Sequence, residues 1–342
     1  MNVTVFNREL PGSVSEEIDI FVRGLSDFTV FQSPAFYNFY LSIPHYTPFY
    51  FIARNQPDRI CGVLLAVIIS EGNVFISFIS SRCVVYGGPL VTDENGTLEV
   101  LLEALNKIAG RRALFTQFRN FKPWTDNQKD VFKKFGFLYR ERLNLLVSTK
   151  SEQEVLSGMS SSRRRQIKKG IEAGVQFRSA SSTEEVMQLY GLLAELYKLK
   201  VRKPLPDKNF FMTFYGQLVQ QKQGAILLVF FDDALIGGAV CPVSVGSTLS
   251  ELYICGLDEK YPQCYPSVMA TWAALSYAAD NALPEFDFMG LGKPEVKYGV
   301  RDFKLRFGGQ VVNYGRFARR NYKILYAIAE IGYNILRSFK RV

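Results

Sequence analysis

Apolar residues along the chain form two series of runs that follow the same order. Each series has two apolar runs that flank a short polar turn, which is the pattern of a β-hairpin, and a third apolar run after them. The runs of the first series occupy 49–53, 60–69 and 73–85, and those of the second series occupy 226–231, 235–245 and 248–257. We therefore predict the same arrangement of strands in the two halves of the chain.

Each series continues into a segment of helical composition and then into a short strand. The predicted helices cover 96–108 and 266–280, and the predicted strands cover 113–118 and 285–289. Similar phrases rich in Phe, Lys and Gly follow at 132–136 and 303–308. Equivalent features are separated by about one domain length, so we interpret the pattern as a duplication.

The duplication favours an α/β (α+β) fold with two tandem domains, each a twisted mixed sheet flanked by helices. A chain of 342 residues is long enough for two such domains of roughly 150 residues each. We place the first domain at 1–150 and the second at 151–320, with an amphipathic helix at 321–342.

A basic helix is predicted at the junction of the two domains. Residues 152–174 have helical composition, and a basic cluster at 163–169 follows three consecutive serines. The cluster is either the solvated face of a helix or a patch that contacts phosphate groups. Two further helices are predicted at 182–201 and 207–223, and Asp207 is a candidate N-cap for the second of them.

The segment 321–342 spaces its apolar residues for one face of a helix and carries basic residues elsewhere. Such a helix either packs on the second domain or makes a shallow contact with a membrane surface. Both alternatives stay open from the sequence.

Composition limits where the protein works. The five cysteines form no CxxC pair and have apolar neighbours, which favours reduced thiols in a reducing compartment. The first residues do not follow the pattern of a signal peptide, and no apolar run has the length of a membrane-spanning helix. We expect a cytoplasmic protein, with the inner face of the membrane as the alternative location.

Charge and histidine content limit the chemistry. The chain has 41 Lys and Arg against 32 Asp and Glu, a formal charge of +9 that attracts anions such as nucleotides, tRNA or a lipid-linked phosphate. The single histidine, His45, lies in a loop-like stretch, which excludes a histidine-based triad or a histidine-rich metal site. Proton transfer then depends on a carboxylate, Tyr, Lys, water or the substrate.

The order strand, helix, strand in the second half predicts an anion site. It places the helix start near Pro266 beside the end of the strand that contains Tyr253. Amide groups at a helix start bind anions, because they lack partners within the helix and lie at the positive end of its dipole.

The last third of the sequence resembles the Fem family of aminoacyl and acyl transferases, which have tandem GNAT domains. The matching stretches are 286–290, 299–309 and 315–317, and a weaker match covers 164–169 and 174–175. Fem proteins transfer amino acids from aminoacyl-tRNA to peptidoglycan precursors. Many of them have a long helical arm linked to tRNA, and no comparable insertion is found in this sequence.

The resemblance also bears on the acyl donor. In acetyl-CoA-dependent GNAT proteins, small residues let the backbone before the helix wrap the pyrophosphate, whereas the corresponding stretch here is 263–268, with Pro266 and Val268 at the positions of small residues. Either aminoacyl-tRNA or acyl-CoA therefore remains a candidate donor, and it is expected to act as a co-substrate.

The resemblance places the family's lysine at Lys304, where an ammonium can stabilise the oxyanion of acyl transfer. Arg306 is the second cation, on the same face if the run is a strand, and Asp287 is a candidate to orient or deprotonate the acceptor amine. Further candidates for substrate binding are Glu251, Tyr253, Tyr265, Ser267, Tyr298, Arg165 and Lys168. We predict no metal site and no tightly bound cofactor.

Three functions are compatible with these residues. The first is transfer of an acyl or aminoacyl group, by direct attack, to an amine on a cell-wall or glycan precursor. The second is an N-acetyltransferase that depends on acetyl-CoA or acyl-CoA. The third is a non-catalytic module that binds an anionic polymer or membrane surface through its basic helices.

Overall fold

The computed structural model describes residues 1–55, 58–71, 78–92, 96–201, 204–296 and 299–339. Within them the chain forms two units, unit 1 from 1–141 together with 314–342, and unit 2 from 142–313. The strands are β1 Asn2–Phe6, β2 Tyr46–Arg54, β3 Ile60–Ile69, β4 Arg82–Tyr86, β5 Leu90–Val91, β6 Phe115–Arg119, β7 Leu138–Arg140, β8 Leu143–Ser148, β9 Gln176–Ser179, β10 Gly224–Phe231, β11 Ala234–Ser244, β12 Thr248–Ser250, β13 Tyr253–Gly256, β14 Glu285–Asp287, β15 Gln310–Asn313 and β16 Arg316–Arg320.

The helices surround these strands in both units. They are α1 Gly12–Arg23, α2 Pro34–Leu41, α3 Thr97–Arg112, α4 Asp126–Lys134, α5 Glu152–Gly158, α6 Ser161–Glu172, α7 Thr183–Leu196, α8 Lys208–Thr213, α9 Pro266–Asp280, α10 Gly299–Leu305 and α11 Lys323–Phe339. A 3₁₀ turn at Val30–Gln32 precedes α2, and π-helical turns at Tyr197–Val201 and Phe214–Val219 extend α7 and α8.

Each unit has its own eight-stranded mixed sheet. The order in unit 1 is β1-β2-β3-β4-β6-β16-β7, with β5 paired to β3, and the order in unit 2 is β15-β8-β14-β12-β11-β10-β9, with β13 paired to β11. The parallel pairs among the described strands are β4 with β6 and β12 with β14. The predicted fold class, a tandem of two mixed sheets flanked by helices, is confirmed.

The boundaries of the units differ from the domain boundaries of the sequence analysis, 1–150 and 151–320. Strand β8 lies in unit 2, where it pairs with β14 and β15, and β16 lies in unit 1, where it pairs with β6 and β7. The hydrophobic pattern predicts a strand but not its partner, so it could not show that unit 1 takes its last strand from beyond unit 2.

The C-terminal helix also belongs to unit 1, not to the second domain as one alternative had it. Tyr322, just before the helix, packs edge-on against Phe78 at 5.1 Å between ring centroids, and Tyr326 packs against Phe115 at 5.5 Å.

The predicted helix at 152–174 is divided in two. Helix α5 ends at Gly158 and α6 begins at Ser161, because the Ser160 hydroxyl caps α6 by accepting a hydrogen bond from the Arg163 amide. The predicted cap of the later helix is present, since the Asp207 carboxylate accepts from the amides of Asn209 and Phe210.

The core of unit 2 is built around helix α9, which is apolar on most of its surface and packs against β10, β11 and β13. A helix with apolar residues all round is stable only when it is enclosed, and Trp272 is only 2% exposed. All five cysteines are buried and free. The enclosed helix fixes the position of its first turn against the sheet.

The sheet of unit 2 opens beside this helix. Strand β12 lies between β11 and β14, and it pairs in parallel with β14 as far as Ser250 opposite Asp287. The next strand, β13, continues beside β11, and among the described strands it has no pairing with β14. Where the two strands separate, the Glu251 amide donates to the Asp287 carbonyl and the Leu252 amide donates to the Val240 carbonyl. We call this opening the sheet break.

Gly256, at the end of β13, lets the strand approach the start of α9. A Cβ on Gly256 would lie 2.3 Å from the backbone nitrogen of Ser267. We expect Gly256→Ala to lower the free energy of unfolding by about 1–3 kcal/mol, since backbone must move to admit the methyl group. Chemical denaturation measures the change.

Gly191 provides the matched control, because a Cβ there meets nothing within 4 Å and the residue lies inside α7. Gly191→Ala should raise the free energy of unfolding by about 0.5–1 kcal/mol. Equal stability of the Gly256→Ala variant and the unaltered protein would contradict the close approach.

Candidate active site

Lys304 lies on a helix and not on a strand, which corrects the expectation from the sequence. The run from Phe303 to Phe307 alternates apolar and basic residues, which is a strand-like pattern, but Gly299–Leu305 is α-helical. In the structure Phe303 and Phe307 share one face at helical spacing, and Leu305 between them is 39% exposed. Lys304 on the helix is buried, whereas Arg306, which follows the end of the helix, is exposed.

The Lys304 ammonium lies in the sheet break. Its Nζ is 3.1 Å from Oε1 of Glu251 and donates to the carbonyl of Phe288 at 2.6 Å. The side chains of Lys304 and Glu251 are 11% and 2% exposed. A buried carboxylate and a carbonyl thus replace much of the water that an exposed lysine would hold.

Glu251 follows β12 at the point where the chain separates from β14 and continues beside β11. Its Oε2 is 3.5 Å from the Thr271 hydroxyl of α9, so the carboxylate is held between the helix and Lys304. Burial raises the pKa of the Glu251 carboxyl, and the Lys304 ammonium opposes that rise. The nearby thiol of Cys241 has a pKa well above its usual range, because it is buried and lies near Glu251.

Asp287, the last residue of β14, is 5% exposed. Its Oδ1 accepts hydrogen bonds from Nδ2 of Asn144 at 2.7 Å and from the Met289 amide at 2.5 Å. Met289 has φ of +57° and Gly290 has φ of +134°, so the chain turns sharply after the carboxylate. Burial raises the pKa of Asp287, although Asn144, the Met289 amide and Lys304 oppose the rise.

Arg163, which the sequence pattern showed only as part of the basic cluster, is a buried residue of the site. This residue is 2% exposed, and its Nη2 donates to the carbonyl of Phe303 at 2.8 Å. The guanidinium lies over the rings of Phe303 and Phe307, at 4.5 and 4.3 Å from their centroids. Burial lowers its pKa to about 10, and Arg306 contributes. Arg163 thereby fixes the helix that carries Lys304.

A sequence signal for Arg163 existed. Arg163, Ile167 and Gly170 are the buried residues of α6 and recur at the spacing of one helical face, while the neighbouring arginines do not. Arg165 and Lys168, the predicted phosphate contacts, are exposed, and Lys168 is 3.7 Å from Glu172. The structure therefore turns these two side chains away from the buried part of the site.

A cavity of about 350 Å³ lies beside Arg163. Its lining includes Arg163, Gln166, Asp258, Tyr265 and Arg306. Lys304 is not among the described lining residues, since its ammonium lies in the sheet break. The expected single groove shared by the lysine and the helix start is thus replaced by a buried ion pair and a neighbouring cavity.

The start of α9 already contacts an internal anion. The Ser267 amide donates to Oδ1 of Asp258 at 3.0 Å, and the Ser267 hydroxyl donates to Oδ2 at 2.5 Å. Tyr265 precedes the helix with φ of +50°, and Pro266 occupies the first turn. Asp258 therefore stabilises the helix start in place of a bound phosphate.

Two predicted site residues, Tyr253 and Tyr298, remain to be placed. Tyr253 packs among Tyr197, Phe210 and Phe211, with ring centroids 5.3 to 6.2 Å away. Tyr298 lies outside the described residues. Across the described ranges no group of His, Cys, Asp and Glu side chains is arranged to hold a metal ion.

The ion pair can be tested by a double-mutant cycle. Lys304→Met leaves the Glu251 carboxylate buried without its cation, and we expect it to cost about 3–5 kcal/mol of unfolding free energy. Glu251→Gln combined with Lys304→Met removes both charges and should be more stable than the sum of the single changes implies. Urea denaturation of the four proteins measures the coupling, and additive losses would show that the pair is not coupled.

The part of the chain that carries this site is similar to known proteins. Residues 159–305 match the family model described as an acetyltransferase (GNAT) domain. No curated protein matches the chain. FemX has a similar structure, with a TM-score of 0.72 at 15% identity, over 96% of this chain and 99% of that one.

Two further structures are similar at lower scores. A tandem GNAT protein from the clavulanic acid biosynthesis pathway has a TM-score of 0.56 at 8% identity and covers 94% of this chain and 99% of its own. L-PGS from Bacillus licheniformis has a TM-score of 0.54 at 11% identity, over 85% and 90% of the two chains. The chain thus carries a GNAT-type acetyltransferase domain, and it shares its fold with FemX and with the tandem GNAT protein.

Proposed function

We propose that this protein transfers an acyl or aminoacyl group from an activated donor to an amine acceptor, by direct attack at the sheet break of unit 2. The observation that carries the proposal is the buried pair of Lys304 and Glu251, 3.1 Å apart, inside the GNAT-type domain. A pair of this kind costs several kcal/mol to desolvate, so a purely structural role would be better served by apolar residues.

Lys304 acts on the oxyanion that forms when the amine attacks the donor carbonyl. An ammonium has three donors, and the described contacts with Glu251 and Phe288 use two of them. The third donor stabilises the developing charge. One such donor contributes about 2.7–4 kcal/mol to the transition state.

Asp287 accepts the proton of the acceptor amine as the C–N bond forms. The tetrahedral intermediate then breaks its C–O or C–S bond to the donor, and the released alcohol or thiol takes up the proton. Both described hydrogen bonds of Asp287, from Asn144 and Met289, fall on Oδ1, which leaves Oδ2 for the amine. Burial raises the pKa of this carboxyl and makes it a better base than an exposed aspartate. Glu251 orients Lys304 through the 3.1 Å contact between its Oε1 and the lysine Nζ.

Direct attack is favoured over a covalent enzyme intermediate. The cysteines are buried, and burial raises the pKa of Cys83 and of Cys255 to about 12. A thiol of that pKa is a poor nucleophile near neutral pH. The amine therefore attacks the donor itself.

The start of α9 favours a donor other than acetyl-CoA held in the ordinary GNAT manner. Asp258 already receives the amide and hydroxyl of Ser267, and its carboxylate would repel a pyrophosphate there. The adjacent cavity is also lined by Asp258, but it includes Arg163 and Arg306, whose positive charge can pair with donor phosphates. Together with the resemblance to Fem proteins, this supports aminoacyl-tRNA as donor and an amine of a peptidoglycan or glycan precursor as acceptor.

The acyl-CoA alternative is favoured by the match of 159–305 to an acetyltransferase (GNAT) domain. A module that only binds anions is the weaker candidate, because it would not need the buried pair at the sheet break.

The function is tested by a transfer assay with charged tRNA and acetyl-CoA as donors and a lysine-containing peptidoglycan precursor among the amine acceptors. We expect transfer from charged tRNA and a loss of about 10²–10³-fold in kcat for the Glu251→Gln/Lys304→Met double variant, in which neither member of the ion pair is left as an unpaired charge. Lys133→Met is the matched control, because Lys133 holds the equivalent place in the repeated phrase of unit 1 and is exposed.

Each outcome of the assay is informative. Transfer from acetyl-CoA alone would replace the proposed donor with a CoA thioester, and undiminished kcat in the double variant would remove Lys304 from the mechanism. Binding without transfer from either donor would favour the anion-binding module.

The pH dependence follows from the direction of the Asp287 shift. Since burial raises this pKa above its ordinary value of 3.8, the ionised base is lost on acidification at a higher pH than for an exposed aspartate. The fall of kcat/KM on acidification should therefore begin at a higher pH than an exposed aspartate would give. Asp287→Asn retains an oxygen for Asn144 and Met289, and it should remove that fall and lower the plateau by about 10²–10⁴-fold.

A pH–rate profile of both proteins checks this, with thermal unfolding recorded at each pH to exclude denaturation. The same acid limb in Asp287→Asn as in the unaltered protein would assign the proton transfer to another group.

A further inference from the structure

The first turns of helix α11, as far as Ile331, have one face attached to unit 1 and the opposite face exposed. Tyr326 packs on Phe115, and Tyr322 just before the helix packs on Phe78. On the other side, Ile324 is 79% exposed, and Ile328 and Ile331 are each 60% exposed. At about 100° per residue these three isoleucines fall within an arc of roughly 60°, opposite the two tyrosines.

This apolar stripe is unusual for a surface helix. Single exposed apolar residues are common on proteins, but three isoleucines in one row on a helix mark a contact surface. The contacts of Tyr322 and Tyr326 attach the helix to unit 1 with the stripe facing outward. The exposure of the stripe follows from these two contacts.

The net charge of the segment that carries the stripe indicates the kind of partner. Residues 319–342 include six basic residues and one acidic residue, Glu330, which lies 3.5 Å from Arg320. Lys323, at the start of the helix, is exposed. A surface with this excess of positive charge attracts an anionic lipid layer and repels a second copy of itself.

The length of the helix fixes the mode of contact. Its 17 residues extend about 25 Å, and in the part of the chain that the structure describes no helix has the length and apolarity to cross a bilayer. An amphipathic helix with a basic flank lies in the plane of the membrane surface, with its apolar stripe among the headgroups and acyl chains.

We propose that α11 is a docking surface for an anionic membrane, with Ile324, Ile328 and Ile331 inserted between the lipids and the exposed Arg320 and Lys323 on the headgroups. The surface places the protein where lipid-linked or envelope substrates are found. It is independent of the transfer chemistry in unit 2.

Vesicle co-sedimentation of the full chain tests the proposal. We expect binding to vesicles of phosphatidylcholine with phosphatidylglycerol, and at least about tenfold weaker binding to phosphatidylcholine alone or at high salt. The triple variant Ile324→Ser/Ile328→Ser/Ile331→Ser should bind the anionic vesicles at least about tenfold more weakly. The side chains are exposed, so the variant should keep the thermal stability of the unaltered protein.

Ile20→Ser is the matched control, because Ile20 is 69% exposed on α1 and lies outside the stripe. It should bind vesicles like the unaltered protein. Equal binding by the triple variant, or no binding to anionic vesicles by the unaltered protein, would overturn the proposal. So would a dimer in sedimentation velocity that the triple variant abolishes, since the stripe would then join two copies of the chain.

Discussion

Moving a lysine ammonium out of water costs several kcal/mol unless a carboxylate and other acceptors replace its hydration. In unit 2 Glu251 and the Phe288 carbonyl supply this replacement for Lys304, and each depends on the sheet break for its position. The break exists because β12 and β13 both stay beside β11, whereas only β12 also pairs with β14 among the described strands. Helix α10, anchored by Arg163, holds the lysine from the other side. Removing any of these supports would expose an uncompensated charge.

Unit 1 has a corresponding opening between β4 and β5, and it is closed by a neutral group. The side chain of Gln32 accepts from the Leu65 amide at 2.7 Å and donates to the carbonyls of Leu65 and Tyr86. A Cβ on Gly88 would lie 2.5 Å from this side chain, so the opening is filled. A neutral amide side chain pairs with backbone donors and acceptors without the cost of a buried charge. The described residues of unit 1 thus place a neutral amide where unit 2 places a buried cation.

The repeated hairpins, the enclosed helix α9 and the fold class were accessible from the sequence, because apolar periodicity determines which faces must be buried. The helical structure of the segment that carries Lys304 was not accessible from the sequence. Phe303, Leu305 and Phe307 alternate with basic residues as in a strand, whereas Phe303 and Phe307 alone have the spacing of one helical face. Only the contact with Arg163 decides between them. The partners of β8 and β16 were also hidden, since pairing between distant strands leaves little trace in local pattern. Asp258 was missed because an exposed loop carboxylate resembles ordinary surface charge.

The path of the chain affects the order in which the protein can fold. Strand β16 pairs with both β6 and β7, yet all of unit 2 lies between it and those strands in the sequence. During synthesis, residues 142–313 emerge as one continuous segment, whereas the sheet of unit 1 still lacks a strand. The nascent chain therefore holds β6 with an unpaired edge until unit 2 has been made, and a ribosome that stops before Arg316 leaves that edge open to association with other chains.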